Sequence, residues 1–145
     1  MATVACLLAG KSSHVFSISL DATVLEATQK MNRHRIGSLM VTEGDRVIGI
    51  LSERDILTRV VAEEKNPRQV KVGDAMTSDV VVVTPDTTIE DASSIMQSRR
   101  VRHLPVCDAE GRLLGLISIG DLNARQASDQ EVTITHLNEY LYGRV

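Results

Sequence analysis

The sequence predicts an α/β (α+β) fold in which two copies of a β-α-β-β-α unit pack with pseudo-twofold symmetry. Three observations predict it. First, the chain repeats itself at an offset of 65 residues, so that Asp21-Ala-Thr-Val-Leu-Glu-Ala27 returns as Asp86-Thr-Thr-Ile-Glu-Asp-Ala92, Met31 as Met96 and Arg35 as Arg100. After one inserted residue, Arg46-Val-Ile-Gly-Ile-Leu-Ser52 returns as Arg112-Leu-Leu-Gly-Leu-Ile-Ser118, and Asp55 as Asp121. Second, each copy passes from a short extended run to a helical period and back to paired extended runs. Third, 145 residues with 43% apolar and 24% charged side chains suit one globular domain of two repeats.

Each copy opens on an extended run, Val15 to Ser19 or Val80 to Thr84. Thr23-x-x-Glu26 and Thr88-x-x-Asp91 then read as capping boxes, which satisfy the unpaired N–H groups of a helix start. Val24, Ala27 and Met31, like Ile89, Ala92 and Met96, recur at steps of three and four and define one buried face. Two apolar runs joined by Glu43-Gly-Asp-Arg46 follow, Leu39 to Thr42 and Val47 to Leu51; the second copy has Leu104 to Cys107 and Leu113 to Ile117 around Asp108-Ala-Glu-Gly111. Both are hairpins. A last helix begins after Ser52 and after Ser118, and polar residues Glu63 to Arg68, with Pro67, form the linker. The expected division is residues 1–70 for the first repeat with its linker and 71–145 for the second with a C-terminal helix.

Composition excludes several function classes. A net charge of -3, from 16 Lys and Arg against 19 Asp and Glu, argues against broad capture of nucleic acid or of an acidic membrane. No apolar run approaches the about 20 residues of a membrane helix. Met1 to Gly10 lacks a basic start and reads as structure rather than as a signal peptide, which makes the cytoplasm the expected location. Cys6 and Cys107 fit neither a metal nor a disulfide spacing and are expected as small buried side chains, and His14, His34, His103 and His136 show no ligand spacing. Aromatic residues supply only 2%, so Val, Ile, Leu, Met and Ala must fill the core.

The residues that carry chemistry close each copy: Gly49-Ile-Leu-Ser52-Glu-Arg-Asp55 and Gly115-Leu-Ile-Ser118-Ile-Gly-Asp121. A strand here turns into a helix whose first N–H groups suit a phosphate. The serine hydroxyl can join those donors, and an aspartate, which only accepts, matches the paired hydroxyls of a ribose. The same Ser-x-x-Asp is also a plain helix cap, and spacing alone leaves both readings open.

This doubled pattern, together with Arg102-His103-Leu104-Pro105-Val106 opening a strand of the second copy, resembles the CBS domain family over roughly Thr3 to Arg125. Ser52-Glu-Arg-Asp55 and the tail Leu137-Asn-Glu-Tyr140 resemble the small bacterial and plant-organelle proteins that consist of a CBS pair alone. The resemblance implies a tandem CBS pair that binds adenosine nucleotides such as AMP, ATP or NAD(H) in two clefts, with no catalytic cofactor. Ser52 and Asp55 would share one cleft with Arg102, His103, Val80 and Val81. Ser118 and Asp121 would share the other with Gly37, Ser38, Arg54, Val15, Phe16 and Lys11. Because Arg102-His103 faces one and Gly37-Ser38 the other, the clefts would differ in ligand, one holding AMP and the other a longer molecule such as NAD(H). Met40 opposite Pro105, and Gly120 opposite Arg54, depart from the symmetry.

The remaining residues have simpler readings. Arg33, Arg35, Arg99 and Arg100 lie near helix ends, where cations offset the dipole, and Phe16, Val80 and Val81 suit a core with or without ligand. Three functions remain. The first is a sensor of energy or redox state, forming a homodimer and reporting ligand to a regulated protein of unknown identity. The second is a structural module with vestigial clefts. The third is a hydrolase using Ser118, Asp121 and His103, for which no Gly-x-Ser-x-Gly elbow or phosphate loop is present.

Overall fold

The computed structural model describes residues 2–10 and 15–125. Lys11, the Leu137–Tyr140 tail and the expected C-terminal helix lie outside the described residues. A short helix α1 (Val4–Ala9) leads into β1 (Ser17–Ser19), α2 (Val24–His34), β2 (Ser38–Glu43), β3 (Arg46–Ser52) and α3 (Glu53–Ile56), which continues as a π-helical turn over Leu57–Val61. The second copy runs through α4 (Val72–Ala75), α5 (Ile89–Arg99), β4 (His103–Cys107) and β5 (Leu113–Ser118) into a helix α6 over 119–125.

Local chemistry places these elements where the pattern predicts. Thr23 accepts from the Glu26 N–H at 3.1 Å while the Glu26 carboxylate accepts from the Thr23 N–H, a complete capping box; Thr88 accepts from the Asp91 N–H at 3.1 Å. Both long helices end on an arginine in the left-handed region, Arg35 at φ 54° and Arg100 at φ 55°. A side chain with a Cβ is disfavoured there, whereas glycine is not. Arg35→Gly, at this exposed site, is therefore expected to raise the unfolding free energy by about 0.5 to 1 kcal/mol, read from a urea titration. In the first hairpin, Gly44 at φ 64° supplies the positive φ of a two-residue turn. In the longer second turn, Asp108 accepts from the Glu110 and Arg112 N–H groups, and the Arg112 bond, first among its causes, holds the carboxyl below its ordinary range.

The two hairpins are alike even in their irregularity, since the register shifts after Val41 in one and after Val106 in the other. The opening strands differ. In the first copy β1 runs parallel to β2, and the Met40 N–H donates to the Phe16 carbonyl at 3.2 Å. Pro105 stands at the equivalent place in β4 and has no N–H to offer Val81. The expected strand from Val80 to Thr84 is accordingly reduced to one parallel bridge, Val83 to Val106.

Two apolar cores result, and each takes a helix from the other end of the repeat. Val24, Ala27, Met31, Leu39, Val41 and Leu51 of the first copy enclose Val72 and Ala75 of α4. Ile89, Ala92, Met96, Leu104, Val106 and Ile117 of the second enclose Val4 of α1. Backbone bonds seal the exchange: the Val24 N–H donates to Val70 and the Val72 N–H to Ala22, while the Val4 N–H donates to Thr87 and the Ile89 N–H to Ala2. At the centre Arg46 bridges Arg112, its own counterpart. Equivalent residues can pair with each other only on the axis that relates them, so this bridge marks the pseudo-twofold.

Cys107 is buried as expected, and burial pushes its thiol up. Cys6 is not: it is exposed, because α1 turns Val4, Leu7 and Leu8 to the second core and leaves Cys6 on its outer face.

Candidate functional site

Across the axis lies a cleft of about 960 Å³. Its walls are built largely from equivalent pairs: Val15 and Val80, Phe16 and Val81, Gly37 and Arg102, Ser38 and His103, Met40 and Pro105, Ile50 and Leu116. Five residues from each of the two groups expected in separate clefts border this one space. The pseudo-twofold explains this, because symmetry-related walls facing each other across an axis enclose a space that crosses it.

Ten of the anticipated site residues are on those walls: Val15, Phe16, Gly37, Ser38, Ser52, Arg54, Val80, Val81, Arg102 and His103. Asp55, Ser118 and Asp121 are not among the lining residues. Ser52 and Asp55 form a reciprocal cap, with the Ser52 N–H donating to Asp55 Oδ2 at 3.0 Å and the Asp55 N–H to Ser52 Oγ at 3.2 Å. Ser118 and Asp121 repeat it at 2.8 and 3.1 Å. Both Ser-x-x-Asp motifs are therefore helix caps in fact, whatever else they do. Asp55 is the one buried charged residue among those described, 8% exposed, and its Oδ1 also accepts from the Thr77 hydroxyl at 3.1 Å. It stands directly behind Ser52 and Thr77, which do line the cleft. A carboxylate has about four lone-pair sites, so two bonds leave capacity for a ligand's hydroxyls.

The structure adds residues beyond the anticipated set. Thr77, Asp79, Arg99 and Arg100 line the cleft as well. Arg99 lies 3.9 Å from Asp79, and Arg100 is the left-handed cap of α5. The sequence shows these arginines only as helix-end cations; that the end of α5 opens on the cleft depends on packing. Phe16 stacks on His34 with ring centroids 4.0 Å apart, so its aromatic face is engaged with α2. Electrostatically the cleft opposes the chain as a whole: among the described residues Arg54, Arg99, Arg100, Arg102 and His103 converge with the single carboxylate of Asp79 in a protein of net charge -3. Such a site attracts anions. Among the described residues no group of three or more His, Cys, Asp or Glu side chains could hold a metal ion.

A duplicated helix-and-hairpin unit with exchanged end helices and a cationic cleft on its axis defines a tandem-repeat module. The chain belongs to the CBS domain family, whose model matches residues 11–62 and 72–127. It is 31% identical over 132 residues to the CBS domain-containing protein YhcV of Bacillus subtilis, covering 88% of this chain and 93% of that one. To the mitochondrial CBS domain-containing protein CBSX3 of Arabidopsis thaliana it is 34% identical over 128 residues, 85% of this chain; that match spans 62% of the plant protein. Among solved structures, the CBS-domain protein ATU1752 of Agrobacterium tumefaciens superposes with a TM-score of 0.76 at 35% identity, covering 86% of this chain and 99% of that one. The CBS domain protein PAE2072 of Pyrobaculum aerophilum, solved in complex with AMP, superposes with a TM-score of 0.72 at 27% identity over 82% of this chain and 88% of that one. No described helix is long and apolar enough to cross a membrane.

Proposed function

We propose that the protein is a regulatory module that binds an adenosine nucleotide, AMP, ATP or NAD(H), in this cleft and reports its presence by a change of shape or assembly. The observation that carries the reading is the convergence of four arginines and His103 from both copies on one cleft that also offers apolar walls. Arginine forks suit phosphate, and Val80, Val81 and Ile50 suit a flat base. The AMP found in PAE2072 supports the same ligand class. Ser52, accepting from one N–H, keeps its O–H to donate to phosphate, and Asp55 takes the ribose beside Thr77. In the second copy Ser118 and Asp121 would play the same parts. Arg102-His103 against Gly37-Ser38 makes the two ends unequal and favours a mononucleotide at one and a longer ligand at the other.

Exposed Leu57 and Val61, 59% and 60% accessible on the turn after α3, suit burial against a second copy in a homodimer. Ligand would act on a cytoplasmic partner by favouring one arrangement of the repeats.

One observation favours a purely structural reading: Asp55, Ser118 and Asp121 are engaged as caps and stand off the cleft walls. Thermal unfolding with AMP, ATP, NAD and NADH separates the two. A ligand at 100 times its Kd is expected to add about 2.7 kcal/mol of stability. A protein whose unfolding none of the four displaces would be a scaffold with vestigial clefts.

A further inference from the structure

Arg59 lies on the π-helical turn four residues beyond Asp55, and it reaches across to the other copy's lead-in. Its Nη1 donates to the Met76 carbonyl at 2.6 Å and to the Ala75 carbonyl at 3.0 Å, and it lies 3.9 Å from Asp55 Oδ1. The next residue is Thr77, which lines the cleft and donates its hydroxyl to the same Asp55 oxygen. On its far side Thr77 is bonded to Ile50 in both directions, N–H to carbonyl at 2.9 and 3.0 Å. Arg59 itself is not on the cleft walls. One guanidinium thus ties together the carboxylate and the backbone that presents its hydroxyl partner.

The second copy repeats the placement. Asp121-Leu-Asn-Ala-Arg125 has an arginine at the same step, although Leu57-Thr58 and Asn123-Ala124 between aspartate and arginine have diverged. Arg125 likewise stands near the exchanged helix: the Cys6 thiol of α1 is held below its ordinary value first by hydrogen bonding to Thr3 and also by the charge of Arg125.

We propose that Arg59 is a positioning residue for the cleft, holding residues 75–77 so that the Thr77 hydroxyl and the Asp55 carboxylate present one fixed surface to a ligand. The proposal rests on the nucleotide reading above. A carbonyl clamp that only closed the end of α4 would serve stability, whereas this one also sets where a cleft-lining hydroxyl stands.

The test is calorimetric titration of the full chain with AMP, ATP and NADH, using the wild type, Arg59→Met, Thr77→Val and the double variant, with thermal unfolding of each. Arg59→Met is expected to weaken the best of the three ligands about tenfold, with Arg59→Lys partly restoring it. In the Thr77→Val background the same change is expected to add little, because the hydroxyl that Arg59 holds in place, and through which it fixes the Asp55 carboxylate, is already gone. Wild-type affinity in Arg59→Met, or losses that multiply in the double variant, would overturn the positioning role and leave the nucleotide reading intact. A wild type that binds none of the three would bring down that reading and this proposal together.

Discussion

Asp55→Ala is expected to weaken AMP binding roughly 10- to 150-fold and to lower the unfolding free energy by about 2 to 4 kcal/mol. The two losses have separate causes. Affinity falls because the ribose hydroxyls lose their acceptor, worth about 1.5 to 3 kcal/mol for a bond to a charged group. Stability falls because the Ser52 N–H and the part-buried Thr77 hydroxyl lose their acceptor, and a donor left unsatisfied costs about 1 to 3 kcal/mol. Asp55→Asn separates them, since its amide oxygen can still cap Ser52 while its NH₂ presents donors where the ribose needs an acceptor. Titration with AMP and urea unfolding of both variants make the comparison. Should Asp55→Ala unfold early yet bind AMP as the wild type does, the carboxylate is a cap and the ribose is held elsewhere.

Gly49→Ala is expected to cost about 2 to 3 kcal/mol in urea unfolding, a large penalty for one methyl group. A Cβ on Gly49 would stand 2.5 Å from Met76 Sδ and 2.9 Å from the Thr77 carbonyl oxygen. The sulfur can swing aside, but the carbonyl is bonded to the Ile50 N–H at 3.0 Å and cannot retreat without breaking the bridge. Gly115→Ala provides the internal contrast. Its Cβ would meet Leu8 Cδ2 at 2.6 Å, the far end of a flexible side chain, so a smaller loss of about 1 kcal/mol is expected. Equal losses at the two glycines would show that the backbone bridge at Thr77 is not the rigid element supposed here.

Gly49 and Gly115 also show how far the sequence could be read. Each was visible as the fixed start of Gly-h-h-Ser-x-x-Asp, but the reason for a glycine was not, because the atoms that exclude a side chain come from Met76 and Thr77 just after α4 and from Leu8 of α1, far along the chain. The hairpins and both long helices were legible because their signals are local: capping threonines, a buried face at steps of three and four, and turn residues between apolar runs. The missing strand at Val80 to Thr84 was not legible from its own residues, which are as β-prone as Val15 to Ser19. Its loss depends on a proline in another strand. Arg99 and Arg100 were legible as helix-end cations, which they are, but their place on the cleft was not, as it depends on where the end of α5 points.

By itself the sequence determined that this protein is two copies of one unit, which residues of each unit face inward, and that a serine and an aspartate close each copy on a helix start. These are properties of a residue and its near neighbours, and a repeat states them twice. Only the tertiary structure decided that the copies exchange their end helices, that wall residues of both copies face one space across the axis, and that Asp55 stands behind Thr77 rather than on the wall. Those outcomes depend on contacts between residues distant along the chain, where burial and backbone pairing are settled by the partner surface and not by local preference.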